Sequence, residues 1–334
     1  MTRARTLALA LVLGTIAGRA SGDDNDLSLA RYVTPQPLDS TGNLPRGAAK
    51  PDFNAQTKFR TLASELGIVM APKLLAPADT IGFGGFQFSI DVAFTEIANT
   101  EPHWDAVHRV DPSNRLLNRP PQMMPTLGVF VRKGIWLPLP SFELGAGAVQ
   151  MQDSNMWSLQ GYAKFALQEG FHDWPIPSLA VRGEASRLMG SQEIDLTIAG
   201  LDVSVSKSFG IGGTVTLVPY AGWNFLWIVP RSEVLDATPY CDAFHPTTMG
   251  TDPMHPCVAT DLNANFVFPE QSNITRQRIF FGAKLKFYVV ALIGEYEYVP
   301  RGGSVDKNAT DPTQAAQDRS IDQSAVAISA ALDY

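Results

Sequence analysis

Two sets of residues in this sequence have types that could do chemistry. The first lies in two polar, Pro-rich stretches. His103 and His108 stand near Glu101 and Asp105, and His245 and His255 near Asp242 and Asp252. A carboxylate beside a histidine can activate water, so each stretch offers a hydrolase site. Histidines in long polar loops are more often merely solvated, and no spacing fixes these groups against one another. The stretch CDAFHPTTMGTDPMHPC also brings two Cys and two His together, a donor set a metal could use. The same Cys241 and Cys257 can close a loop disulfide without any metal, and that is the reading adopted, with no cofactor.

The second set is spread along the chain. Asp91, Glu143, Glu184, Asp195, Asp202, Glu295 and Glu297 are acids, and Arg132, Lys164, Arg182, Arg278, Lys284 and Lys286 are bases. Each sits within a segment of alternating character, on the side opposite the apolar residues. If those segments are strands, these charges share one wall, which would be mixed in sign.

The segments themselves are regular. In IGFGGFQFSIDVAFTEI, Phe86, Phe88, Ile90, Val92 and Phe94 alternate with Gln87, Ser89, Asp91 and Thr95. The glycines at 82, 84 and 85 have no following helix and so make no phosphate cradle. Similar strands are expected near 126–132, 142–148, 157–168, 178–188, 191–205, 214–229, 278–287, 292–298 and 320–334. Within 191–205 the apolar residues change phase, from Ile194, Leu196 and Ile198 to Leu201, Val203 and Val205. A bulge at Ala199–Gly200 would keep all of them on one face. Small residues on the polar faces, Gly145, Gly147, Gly282, Ala325, Ala327 and Ala331, suggest open space beside them.

The ends bound the compartment. Residues 1–22 carry Arg3 and Arg5, an apolar run and then small residues, the pattern of a secretory signal peptide. Residues 23–53 are polar and rich in Pro and Gly, and are expected to be flexible. Residues 54–80 combine a short helix, with Phe59, Leu62, Ala63 and Leu66 at helical spacing and Gly67 just past its end, and an extended lead-in that could plug the interior from the periplasmic side. Residues 81–334 make the strands. No later stretch reaches the roughly 18 apolar residues a spanning helix needs. Charged residues are 18% of the chain and the net charge is −7, which leaves nucleic acid without an electrostatic footing.

The chain ends SIDQSAVAISAALDY, with Ile328, Ala330, Leu332 and the final Tyr334 alternating on one face. Here the sequence resembles the outer-membrane β-barrel proteins of Gram-negative bacteria, whose last strand commonly ends in an aromatic residue read by the assembly machinery. The class more often ends in Phe. The resemblance implies an all-β fold, an antiparallel transmembrane barrel of about ten strands with twelve as the alternative count, in contact with outer-membrane lipids. It also matches the connection lengths: the external ones fall near 99–124, 152–155, 189–192, 230–273 and 300–320, so all three long ones are on one side, and those on the other side, with the helix, are all short. A secreted β-sandwich is the competing fold, but its strands are shorter. The role expected is a narrow channel or transporter for small or amphipathic solutes. The alternatives are a closed barrel presenting its long loops to a partner, and a surface hydrolase using rim His and Asp.

Overall fold

The computed structural model describes residues 24–107, 109–110, 117–136, 141–169, 176–238, 241, 257–258 and 260–334. The expected signal peptide, His108, His245, His255, Asp242 and Asp252 lie outside them.

Ten long strands follow the alternation: β1 (Phe86–Glu96), β2 (Met123–Ile135), β3 (Phe142–Met151), β4 (Trp157–Gln168), β5 (Ser178–Met189), β6 (Ile194–Ser206), β7 (Val215–Ser232), β8 (Ile274–Phe287), β9 (Val290–Val299) and β10 (Gln323–Asp333). Each pairs antiparallel with its neighbours in sequence. The sheet closes because β1 also pairs with β10, in the register Asp91↔Ser329. Closure removes the edges and excludes two packed sheets. Phe88, Ile90, Leu127, Val129, Leu159, Val203, Ile279, Phe281 and Ile328 all point outward and are exposed, while Gln87, Ser89, Arg132, Lys164, Arg182 and Arg278 are buried inside. The polarity is that of a soluble protein turned inside out. It gives the apolar face a solvent other than water.

The long connections, 97–122, 233–273 and 300–322, leave one end of the barrel. The short turns, 136–141, 169–177, 207–214 and 288–289, leave the other, beside Tyr334. One helix, α1 (Phe53–Met70), is started by Asp52, whose side chain accepts from the Ala55 N–H at 2.7 Å. It lies at the long-loop end, not at the short-turn end where its place in sequence put it. Arg60 donates to the carbonyls of Ser272 and Ser304, and Ser64 to Asp318, all in the long connections. Gly67 is inside the helix instead of after it. A Cβ there would stand 2.6 Å from the Ile228 side chain, so the glycine lets helix and wall close together.

That packing overturns the reading of β6. The strand alternates without interruption from Ile194 to Ser206, and there is no bulge at Ala199–Gly200. The wall irregularity is in β4, between Ala166 and Gln168. Ile194, Leu196 and Ile198 therefore face inward, where they join Leu226, Ile228 and Ile274 in a cluster with Phe59, Leu62 and Leu66 of α1. As a consequence Asp195 faces outward. It is not a lumen residue, and it pairs with the exposed Arg187 at 2.8 Å. The inner wall thus has an apolar zone where the helix sits and a polar zone beyond it.

Residues 24–52 have little regular structure, but they are fastened down across the long-loop end. Asn25 donates to Gln152 and Asp153 carbonyls, and Asp26 accepts from Ser154 and Asn155. Leu44 donates to Thr260, and the Ala48 N–H to the Asn263 carbonyl. Cys241 and Cys257 form a disulfide, which removes the thiolates a metal would have used.

Candidate functional site

After Met70 the chain turns into the barrel and passes through it, outside helix and sheet and with Leu75 at a φ of 33°, to the short-turn end where β1 begins. Leu74, Leu75, Ala76 and Ala78 are buried. Backbone outside helix and sheet leaves its N–H and C=O groups unpaired, and in a water-poor interior each must find a partner. The wall charges supply them. Arg278 donates to the Pro72 carbonyl at 3.0 Å and Arg182 to the Leu74 carbonyl at 2.9 Å. The Leu75 N–H donates to Glu295 at 3.0 Å. Lys164 donates to the carbonyls of Pro77 and Asp79, at 3.1 and 2.8 Å, and the Ile81 N–H donates to Glu143 at 2.9 Å. At the helix end, Ser158, Gln160 and Ser186 all donate to the Met70 carbonyl.

The same charges neutralise one another. Arg182 meets Asp202, its register partner on β6, at 2.6 Å, and Lys164 meets Glu143 at 3.1 Å. Arg278 bridges the lumen from Glu297 on the neighbouring strand to Glu184 on β5, at 3.2 and 3.1 Å. At the short-turn mouth Lys284 pairs with Asp333 at 2.6 Å, and the half-exposed Lys286 reaches the same carboxylate at 3.3 Å. Arg132 donates to Gln87 there. Asp91 also faces in and is buried, but its carboxylate accepts no hydrogen bond. Sequence reading missed Lys73, which donates to Thr95 at 3.2 Å and stands 3.8 Å from Glu297. Its signal was a lone lysine in an apolar, Pro-bounded run, which must find an acid if buried.

The small wall residues do not open space. A Cβ on Gly145 would fall within the Tyr162 ring, one on Gly147 against Phe130, and one on Gly282 against Tyr220. These glycines are seats for aromatic rings, and the two tyrosine rings carry hydroxyls into the network: Tyr162 donates to Glu143 at 2.7 Å and Tyr220 to Glu295 at 2.8 Å. A cavity of about 220 Å³ lies at the short-turn mouth, among Lys164, Lys284, Asp333, Asp79 and Arg132.

At the opposite end Glu65 of α1 is the hub. It accepts from the Trp104 indole at 2.6 Å, from the Ala98 N–H at 3.0 Å and from the Ile321 N–H at 3.1 Å, and His103 lies 3.3 Å away. Burial opposes its charge, but His103 and these donors outweigh burial and hold its carboxyl below the usual glutamate range. His103 therefore takes Glu65 as its acid, while Glu101 is exposed to solvent. The pairing with neighbours in sequence, on which the hydrolase alternative stood, is not what His103 makes.

Ile328, Ala330, Leu332 and Tyr334 all face outward on β10, with Tyr334 at the short-turn end. A closed ten-stranded sheet with an apolar outer face, its charges inside, and long loops at one end only is the architecture of a bilayer-spanning barrel. The chain folds as a β-barrel of the outer-membrane type. No protein-family model matches it, and no curated protein matches its sequence. Among solved structures it is similar to the Neisserial surface protein A, at 10% identity and a TM-score of 0.28, covering 75% of this chain and 98% of that one. Ail, the attachment invasion locus protein of Yersinia pestis, is similar at 11% identity and 0.25, covering 75% and 99%. LpxR from Salmonella typhimurium is similar at 9% identity and 0.30, covering 73% and 99%. The functional reading therefore rests on the geometry of this barrel alone.

Proposed function

We propose that this protein is a sealed outer-membrane barrel whose working surface is its outer face, where residues 24–52, α1 and the long loops present one fastened platform to a partner. The observation that carries the reading is the occupied lumen: residues 71–81 are pinned through their backbone to Arg278, Arg182, Glu295, Lys164 and Glu143 across the interior. A ten-stranded barrel is narrow before anything enters it. The reading predicts that liposomes carrying the refolded protein swell in isosmotic pentose no faster than protein-free liposomes. Faster swelling would refute it. A second reading, passage of small solutes, draws support from the cavity at the periplasmic mouth with its Lys284, Lys164 and Asp333 lining. That reading predicts swelling by the intact chain.

A further inference from the structure

The direction of the lumen segment decides at which end of the barrel residues 24–70 lie. An even number of strands returns the barrel to the side it started from, and Phe86 and Tyr334 do exchange backbone hydrogen bonds at the periplasmic end. The segment before β1 adds one more crossing. It leaves the periplasmic end at Ile81, bonded to Glu143, and reaches the outer end at Met70. Residues 24–70 then lie at the long-loop end, where Leu44 and Arg60 bond to long connections and Asn25 to the short turn between β3 and β4.

The wall that holds the crossing reads backbone. Arg278, Arg182 and Lys164 are donors aimed at carbonyl groups, and Glu295 and Glu143 are acceptors aimed at N–H groups. Arg278, Arg182 and Lys164 are all buried and all paired with acids, so their positions are fixed whether or not a particular side chain passes. The carbonyls of residues 72, 74, 77 and 79 meet donors and the N–H groups of residues 75 and 81 meet acceptors, so the wall satisfies the backbone of one chain segment.

We infer that the lumen is a binding site for the backbone of a single polypeptide segment, occupied by residues 71–81, and that this crossing places residues 24–70 on the cell surface, opposite the C-terminus. The inference rests on the reading that the long loops face outward. It also makes the lumen the anchor of the outer platform: the N-terminal segment is tied through the membrane to β1 instead of being held by loop contacts alone.

Four single-cysteine variants of the full chain test it in intact Gram-negative cells with a membrane-impermeant maleimide. The native cysteines are both in the disulfide and do not compete. Arg46→Cys reports on the N-terminal segment, Val234→Cys on a long loop, and Tyr288→Cys on a periplasmic turn, and all three positions are exposed. Ala78→Cys reports on the lumen, where the residue is buried. Arg46→Cys and Val234→Cys should label on intact cells to a similar extent. Tyr288→Cys should label only after permeabilisation, and Ala78→Cys only after heat unfolding. Labelling of Arg46→Cys only after permeabilisation, with Val234→Cys still labelled outside, overturns the crossing. Labelling of Ala78→Cys in the folded, permeabilised state overturns the occupied lumen. Tyr288→Cys labelled outside and Val234→Cys shielded overturns the orientation itself, and the proposal with it.

Discussion

Arg182 and Arg187 lie on the same strand and face opposite ways, and their pairs differ accordingly. Arg182 is buried against Asp202 and the Leu74 carbonyl, so Arg182→Met leaves a carboxylate buried without its partner. Such a loss costs about 3–5 kcal/mol. Arg187 pairs with Asp195 at the exposed outer surface, and Arg187→Met should cost about 0–1 kcal/mol. Urea unfolding in detergent micelles, read by heat-modifiable migration, compares the two. Glu65 makes a pH prediction. Its carboxyl titrates lower in the folded protein than in the unfolded chain, so between the two values only the unfolded chain binds the proton. The stability it supplies is complete above the ordinary glutamate range of about 4 and is lost as pH falls through the lowered folded value. Proteolytic release of residues 24–52 should accelerate on acidification through that window. In Glu65→Gln release should be fast at neutral pH and nearly insensitive to further acid, and an unchanged acid response in that variant would remove Glu65 from the account. Most inward charges were legible in the sequence, because alternation alone assigns them to one face. Which of them pair, and that several hold backbone, was not, since those partners are far apart in the chain.

At the level of elements, the glycines of the wall show how the interior is filled. Gly145→Ala would push the Tyr162 ring from its seat and strain its bond to Glu143, an overpacking cost of about 1–3 kcal/mol. Gly183 has nothing within reach of an added Cβ and faces outward, so Gly183→Ala should be neutral or stabilise by up to about 1 kcal/mol. The same unfolding assay separates them, and equal effects would mean that ring seating is unimportant. The strands were legible from period two, and their outer faces came out as expected. β6 misled because its apolar face changes sides along its length: at the outer end Ile194, Leu196 and Ile198 point inward to the α1 cluster while Asp195 and Thr197 point outward, and further on Leu201 and Val203 are the outward residues. Alternation identifies a core-facing side only when the lumen is polar. A helix lodged in one end makes the inner wall apolar there, and the phase change that looked like a bulge was the boundary of that contact. Gly67 misled for a related reason, since a glycine required by close packing looks in sequence like one that ends a helix.

For the whole molecule, connection lengths already distinguished the two ends, because all three long connections leave one of them. They could not give the path of residues 54–81. That stretch has an apolar, Pro-bounded character that fits a linker as well as a lumen segment, and only the closed wall shows where its backbone groups are satisfied. The account joins three features into one: a narrow barrel, a wall whose charges are spent on an internal segment, and an N-terminal segment fastened over the loops. Its central claim is that the resident chain seals the lumen. The most direct test is single-channel recording of the intact, refolded, heat-modifiable protein in a planar bilayer under symmetric salt. The account predicts a silent bilayer with no discrete steps. Reproducible ohmic steps from the intact chain would contradict it, because they require an open path where Arg182, Arg278 and Lys164 hold the segment in place.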